Sequence, residues 1–157
     1  IEVDGGQTYS IGIDNNSSDA FCINVGTSIS TGTAALQISS GGVTTISDLV
    51  AQKLSLDNQN PELTIASGAI TASDSYHAVD TEGDAASDDL DTINGGSIGD
   101  LLVLRAADNS RTVVLKHGTG NLRLDGAADK TLDTANDVIM LIRLSSTWNQ
   151  IAFSNNT

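Results

Sequence analysis

Apolar side chains recur at every second residue of this chain in short stretches, and turn-forming residues separate the stretches. The N-terminal half shows the pattern at residues 9–13, 21–25, 36–38, 54–56 and 63–65. A period of two places alternate side chains on one face of a β-strand, whereas an α-helix requires a period of 3.6 residues. The intervening segments are rich in Gly, Asn, Asp and Ser, which favour tight turns. The sequence therefore predicts an all-β fold.

The predicted strands of residues 73–157 are longer than those of residues 1–72 and denser in Val, Leu and Ile. The run Val138–Ile142 is apolar on both faces. It predicts a central strand that is covered on both sides, by a second sheet or by another subunit. Predicted turns lie at residues 106–110, 117–120 and 145–149. We interpret residues 73–157 as a compact antiparallel β-sandwich tip.

Residues 1–72 contain many short predicted strands but few large side chains, and aromatic residues make up only 3% of the chain. Strands of this kind bury too little apolar surface to offset the entropy lost when they become ordered. Identical chains that wind together would bury the apolar stripe of each strand against its copies. We therefore predict that residues 1–72 form an intertwined β shaft that is shared between chains.

Two parts of the sequence resemble bacteriophage tail-fibre proteins. The segments YSIGIDNNSSDAFCIN (9–24) and LQISSGGVTTIS (36–47) are similar to the shafts of these fibres. Residues 75–124, which include DDLDTINGG and GTGNL, are similar to the C-terminal tips together with their continuation at 146–156. The sequence departs from the usual pattern at Cys22 and at Arg143–Leu144, and neither departure disturbs the β pattern.

The resemblance implies a homotrimeric, extracellular virion fibre that attaches a phage to a receptor on the host cell, a glycan or a protein. A shaft at residues 1–72 and a receptor-binding tip at residues 73–157 fit this organisation. Two alternatives stay open, namely a structural subunit of an extracellular or virion filament and a secreted carbohydrate-binding module.

The charge balance of the chain excludes several classes of partner. The sequence has 7 Lys and Arg against 20 Asp and Glu, a formal net charge of -13. Such a surface repels nucleic-acid phosphates and anionic lipid headgroups, so we expect neither a nucleic acid nor a membrane as partner. No apolar run approaches the ~20 residues of a membrane-spanning helix. The one cysteine, Cys22, excludes an intrachain disulfide.

A cluster of acidic residues follows the spacing of a calcium-binding loop. Its members are Asp80, Glu82, Asp84, Asp88, Asp89 and Asp91. Acidic residues stand at positions 1, 3, 5, 9 and 12 of the loop, but Ala85 occupies the position that requires Gly and neither flank is helical. The cluster is either an irregular Ca²⁺ site or a solvated loop that keeps the protein soluble, and we expect no metal or other cofactor.

Motifs for catalysis are missing from the sequence. His77 and His117 do not have the spacing of metal ligands, and no GxSxG motif is present. The abundant carboxylates are expected of any acidic chain, and 157 residues are few for a large β-helix with a long substrate groove. We therefore expect that the protein is not an enzyme.

The best candidates for receptor contacts lie in the predicted turns of the tip. Trp148 and Asn149 are predicted in a loop, where an indole ring could stack on a sugar and an amide could bind its hydroxyls. The alternative is that Trp148 anchors the core or a subunit interface. His117 and Asn109 are further candidates in the other two turns. Four cations either pair with the acidic loop or contact an anionic glycan, namely Arg105, Arg111, Lys116 and Arg123.

Overall fold

The computed structural model describes residues 2–3, 7–14, 20–25, 34–38, 44–46, 49, 51, 53–56 and 62–156. The described residues form β-strands and two short 3₁₀ segments and contain no α-helix, which confirms the all-β prediction. No helix in this part of the chain is long and apolar enough to span a membrane. The chain divides into two compact units, Ile1–Leu54 and Ser55–Thr157.

The N-terminal unit contains one antiparallel sheet in which each strand pairs with the next. Its strands are β1 (Glu2–Val3), β2 (Gln7–Asp14), β3 (Ala20–Val25), β4 (Ala34–Ile38) and β5 (Thr44–Ile46). The sheet order follows the sequence order, from β1 to β5. The register places Ile11 opposite Ile23 and Ile23 opposite Leu36, so the predicted apolar alternation marks real cross-strand neighbours.

One predicted strand of the N-terminal half is wrong. Residues 53–56 are described without regular structure, and both Leu54 and Leu56 are exposed. Two alternating leucines are too short a pattern to separate a strand from an extended connection.

The C-terminal unit contains eleven strands in the described residues. They are β6 (Leu63–Thr64), β7 (Ala69–Thr71), β8 (Tyr76–Asp80), β9 (Ser87–Leu90), β10 (Thr92–Asn94), β11 (Leu101–Ala106), β12 (Thr112–Leu115), β13 (Leu122–Arg123), β14 (Lys130–Leu132), β15 (Val138–Leu144) and β16 (Thr147–Ser154). A six-stranded sheet has the order β13-β16-β15-β11-β8-β6. A three-stranded sheet has the order β14-β12-β9, and β10 pairs with β7.

The strands of the C-terminal unit stack in a solenoid-like arrangement. β7, β8 and β9 follow one another along the chain, and they pair in parallel with β10, β11 and β12 respectively. The register places Ile70 beside Ile93 and Leu90 beside Leu115, so apolar residues of successive coils stack in the interior. β14 and β15 then close the stack by antiparallel pairing with β12 and β11.

The antiparallel pairing that we predict for the whole tip therefore holds only for part of it. β12–β14, β11–β15 and β15–β16 are antiparallel. The other pairs of the C-terminal unit's named strands are parallel. In the coil, for example, the chain leaves β8, forms β9 and β10 on other walls, and returns as β11 beside β8 in the same direction.

The core of the C-terminal unit begins earlier than the predicted boundary at residue 73. Ile65 and Ile70 are buried in it, β6 pairs with β8, and β7 pairs with β10. These residues form the first wall of the coil and belong to the C-terminal unit, although they lie in the segment that we predict as a shaft. On β15, Ile139 and Leu141 are buried as predicted, whereas Val138, Met140 and Ile142 are only half-buried.

Candidate functional site

A pocket of about 360 Å³ opens at the end of the C-terminal unit where β8 and β11 begin. One wall is the segment 72–75, which precedes β8, and the other is the segment 96–101, which leads into β11. Its lining includes the carboxylates of Asp74 and Asp100 and three serine hydroxyls, but no Lys, Arg or His. The volume lies near the lower end of the range for small-ligand sites.

The first wall, the segment 72–75, is held in place by the buried imidazole of His77 on the side away from the pocket. His77 is buried, and its Nε2 accepts hydrogen bonds from the backbone N–H groups of Ser73 (3.3 Å) and Asp74 (3.1 Å). Ser73 Oγ also donates to Asp74 Oδ2 at 2.9 Å. The position of the Asp74 carboxylate is therefore set by local hydrogen bonds and by the side chain of His77.

The conformation of the second wall, the segment 96–101, depends on glycines and on a hydrogen bond to the carboxylate of its own Asp100. Gly96 has a φ of 77°, and a Cβ atom at this position would lie 2.6 Å from Cζ2 of Trp148, so the wall can rest on the indole only with glycine here. Asp100 Oδ2 accepts a 2.6 Å hydrogen bond from Ser97 N–H. Gly99 N–H donates to Arg143 O, and Arg143 N–H donates to Asp100 O, both at 2.9 Å, which ties the wall to β15.

Trp148 supports the pocket from the core and does not face a ligand. Only 1% of the residue is exposed, and Nε1 donates to Ile93 O at 3.2 Å. The Arg143 guanidinium lies 5.5 Å from the ring centroid. The predicted loop at 145–149 is therefore wrong, because β16 already begins at Thr147. The alternative that Trp148 anchors the core is confirmed.

The other predicted receptor residues do not line this pocket. Asn149 lies on β16, where its Oδ1 accepts from Thr147 Oγ1 at 2.8 Å. His117 Nδ1 accepts from Leu124 N–H at 3.0 Å, and Asn109 Oδ1 accepts from Ala135 N–H at 2.8 Å. All three side chains hold local turns or strands.

The structure does not bring these candidates together. The antiparallel register of β11 and β15 places the turn after β15 beside the start of β11, whereas Asn109 lies beyond its end. The turns at 106–110 and 145–149 therefore lie at opposite ends of β11. His117 follows β12, which belongs to the three-stranded sheet.

The carboxylates of the acidic cluster bind different partners and do not converge on one position for a metal ion. Asp80, which is buried, pairs with the guanidinium of Arg111 and accepts from Thr81 N–H at 2.8 Å. Asp84 contacts the same Nη1 atom at 2.9 Å. Asp88 Oδ2 accepts from Glu82 N–H at 2.8 Å, and Asp88 Oδ1 from Asp89 N–H at 2.9 Å.

Within the residues that the structure describes, no group of three or more His, Cys, Asp or Glu could hold a metal ion. The calcium candidate formed by Asp80, Glu82, Asp84, Asp88 and Asp91 is therefore not assembled, because backbone N–H groups and Arg111 occupy several of these carboxylates.

Two of the four cations pair with acidic residues as one of the alternatives predicts. Arg111 binds Asp80 and Asp84, and Lys116 lies 2.6 Å from Asp129 and 3.8 Å from Asp89. The other two cations bind neutral partners. Arg105 Nε donates to the hydroxyl of Tyr76 at 2.8 Å, and Arg123 Nη1 donates to Leu122 O at 2.9 Å.

The sequence pattern does not single out the pocket carboxylates Asp74 and Asp100 or the imidazole of His77 behind the first wall. The two walls come from different coils, and nothing in the alternation of apolar residues reveals that β8 and β11 lie side by side. The one available sign was the turn-rich composition of TASDS and GGSIGD, which lie just before these two strands.

Comparisons of the chain with models of protein families, with curated proteins and with solved structures find no match.

The chemistry of the pocket is defined by acceptors, since each ionised carboxylate offers several lone pairs to donors on a ligand. Serine hydroxyls can both donate and accept. An array of this kind suits a ligand with several hydroxyl groups and disfavours an anion.

The buried imidazole predicts a dependence of stability on pH. Burial lowers the pKa of His77, and the charge of Asp74 opposes this shift only in part. Between about pH 6.5 and the lowered pKa of the folded chain, the unfolded chain therefore binds a larger fraction of a proton at His77 than the folded chain does. The free energy of unfolding should therefore fall as the pH decreases from 7.5 to about 5.5, by at most about 1.4 kcal/mol per pH unit.

Denaturant unfolding across this pH range tests the prediction in the wild type, in His77→Gln and in His117→Gln. The first variant should lose most of the slope because Gln does not titrate, whereas the second should keep it. An equal slope in His77→Gln and in the wild type would contradict the role of His77.

Proposed function

We propose that this chain is a non-enzymatic virion fibre protein that attaches a phage to a glycan on the host cell surface. The pocket between 72–75 and 96–101 would supply the sugar contacts in the tip. The observation that carries the proposal is the lining of this pocket, which contains two carboxylates and three serine hydroxyls and is held from behind by the buried side chains of Trp148 and His77. Vicinal sugar hydroxyls are donors that match such acceptors, and hydrogen bonds to charged groups are the stronger kind.

The charge of the site selects among glycans. The lining contains no Lys, Arg or His, and the whole chain carries a net charge of -13. Sialylated, sulfated or phosphorylated sugars would be repelled by Asp74 and Asp100. Neutral or amino-bearing sugars are therefore the proposed receptor class.

Three copies of the chain are part of the same proposal, with the N-terminal strands as an intertwined shaft. Exposed apolar side chains at Ile46, Leu49, Leu54 and Leu56 support it, because partner chains would cover them. Three linked pockets would also convert weak single-site binding into firm attachment.

The mass in solution separates this proposal from its two alternatives. A discrete assembly near three times 16.1 kDa supports the fibre. Open polymers would indicate a structural filament subunit, and a stable monomer would indicate a carbohydrate-binding module.

The glycan site is tested by Asp74→Asn and Asp100→Asn in the intact protein. Each variant should weaken binding to neutral glycans on an array about tenfold or more, since a hydrogen bond to a charged acceptor contributes about 1.5–3 kcal/mol. The matched control is Asp125→Asn, which removes an exposed carboxylate outside the pocket and should leave binding unchanged. Unchanged binding by both pocket variants, or binding confined to anionic glycans, would refute the assignment.

A further inference from the structure

The six-stranded sheet of the C-terminal unit buries one face and leaves the other partly exposed. On its central strand β15, Ile139 and Leu141 point into the core and are fully buried. The alternate residues Val138, Met140 and Ile142 lie on the opposite face and are only half-buried. Since neighbouring residues of a strand point to opposite sides, this outer face is a distinct surface of the molecule.

The outer face is apolar across neighbouring strands. The register places Leu101 beside Ile142 and Val103 beside Met140, so β11 and β15 present a continuous patch of aliphatic side chains. Leu101 and Leu144 at its rim are 41% and 46% exposed, and Ile98 in the adjoining turn is 75% exposed. Contiguous apolar surface of this kind marks an interaction site in soluble proteins.

The same face is free of negative charge on an otherwise acidic chain. β11, β15 and β16 contain no Asp or Glu, although the chain has 20 of them. Asp80 at the far end of β8 is paired with Arg111. Arg105 donates to the hydroxyl of Tyr76 and to Ala106 O. Two copies of a chain with a net charge of -13 repel one another, and this surface is where they can meet without bringing carboxylates together.

From these observations we infer that the outer face of β8, β11, β15 and β16 is the surface through which the C-terminal units of identical chains associate. A second copy fits better than a membrane, because an anionic bilayer repels the surrounding acidic surface. This inference deepens the trimeric part of the proposed function and does not depend on the sugar pocket.

The four strands alone give too small a face for a standard interface, so the contact must include the apolar side chains at its rim. Four strands at a spacing of about 4.8 Å and about seven residues at 3.3 Å each give a face of roughly 400 Å². A standard interface buries about 800 Å² on each partner. The exposed side chains of Ile98, Leu101 and Leu144 extend the surface toward this value, so substitutions at the rim should also weaken association.

The test is sedimentation of the full chain over a range of micromolar concentrations. Met140→Glu places a charge at the centre of the face and should weaken association at least tenfold, so that single chains of 16.1 kDa appear at concentrations where the wild type is assembled. The matched control is Thr131→Glu, which adds the same charge to an exposed position of β14 in the three-stranded sheet and should leave the mass unchanged. The one tryptophan, Trp148, reports by near-UV circular dichroism whether the C-terminal unit is folded.

Should Met140→Glu fail to fold, the pair Leu101→Glu and Leu144→Glu changes only exposed rim positions and should give the same loss of association. A folded Met140→Glu or rim variant that keeps the wild-type mass at every concentration would overturn the inference, as would a monomeric wild type. In the first of these cases, assembly through the N-terminal strands alone would account for the trimer. Glycan binding is measured separately in dissociated Met140→Glu or Leu144→Glu, because neither residue lines the pocket, whereas Leu101 does.

Discussion

Replacing Trp148 with alanine is expected to lower the free energy of unfolding of the C-terminal unit by about 3 to 5 kcal/mol, the range for truncating a buried tryptophan. The residue is 1% exposed and packs directly beneath Gly96. Its removal leaves a cavity under the second wall of the pocket and takes away the hydrogen bond that Nε1 donates to Ile93 O, although Asn121 Nδ2 still donates to the same carbonyl. Chemical denaturation followed by far-UV circular dichroism measures the change.

Two variants separate the contributions to this loss. Trp148→Phe keeps an aromatic ring but removes one of the two donors to Ile93 O, which still accepts from Asn121 Nδ2, and it should cost less than Trp148→Ala. Asn149→Ala changes the next residue of β16, which is half-buried, and should have the smaller effect. If Trp148→Ala lost glycan binding with undiminished stability, the indole would be a ligand contact and its placement in the core would be wrong.

Three of the five strands of the N-terminal unit could be predicted, because each of them contains alternating apolar residues. β2, β3 and β4 coincide with the alternation at residues 9–13, 21–25 and 36–38. The apolar run at Val138–Ile142 likewise predicted β15 and the burial of Ile139 and Leu141. Periodicity identifies strands, since it follows from the backbone itself.

The partners of the strands could not be predicted in the same way. A strand of a parallel coil and a strand of an antiparallel hairpin show the same alternation, so the sequence of β8 and β11 does not reveal that they pair in parallel. The boundary at residue 73 was misplaced for this reason. Ile65 and Ile70 lie in the segment that was predicted as a shaft, yet the coil places them in the core of the C-terminal unit.

The position of Trp148 was misjudged because of one short turn. Ser145 adopts a φ of 51°, which lets two serines close the hairpin between β15 and β16. Such turns usually carry Asn or Gly at positive φ, so the sequence suggested a longer loop that includes Trp148. The pocket itself depends on the pairing of two distant segments, and its carboxylates were therefore not recognisable among 20 acidic residues.

Replacing Arg111 with methionine should lower the free energy of unfolding by about 3 kcal/mol, at the lower end of the cost of removing one partner of a buried ion pair. The side chain of Asp80 is 5% exposed, and Arg111 is its cationic partner among the described residues. The lower end applies because 28% of the Arg111 side chain remains exposed. Denaturant unfolding of the variant and the wild type at neutral pH measures the difference.

Asp84 provides a control within the same ion-pair group, because it contacts the same guanidinium nitrogen with a side chain that is 78% exposed. Asp84→Asn should cost less than about 1 kcal/mol, as exposed pairs do. Combining Asp80→Asn with Arg111→Met should recover part of the loss, since the neutral amide can still accept from Thr81 N–H without an unpaired charge. Equal losses in Arg111→Met and Asp84→Asn would contradict this account.

Asp80 ends β8 of the six-stranded sheet and Arg111 precedes β12 of the three-stranded sheet. The pair therefore joins two walls of the coil, and what the substitution removes is a tie between them.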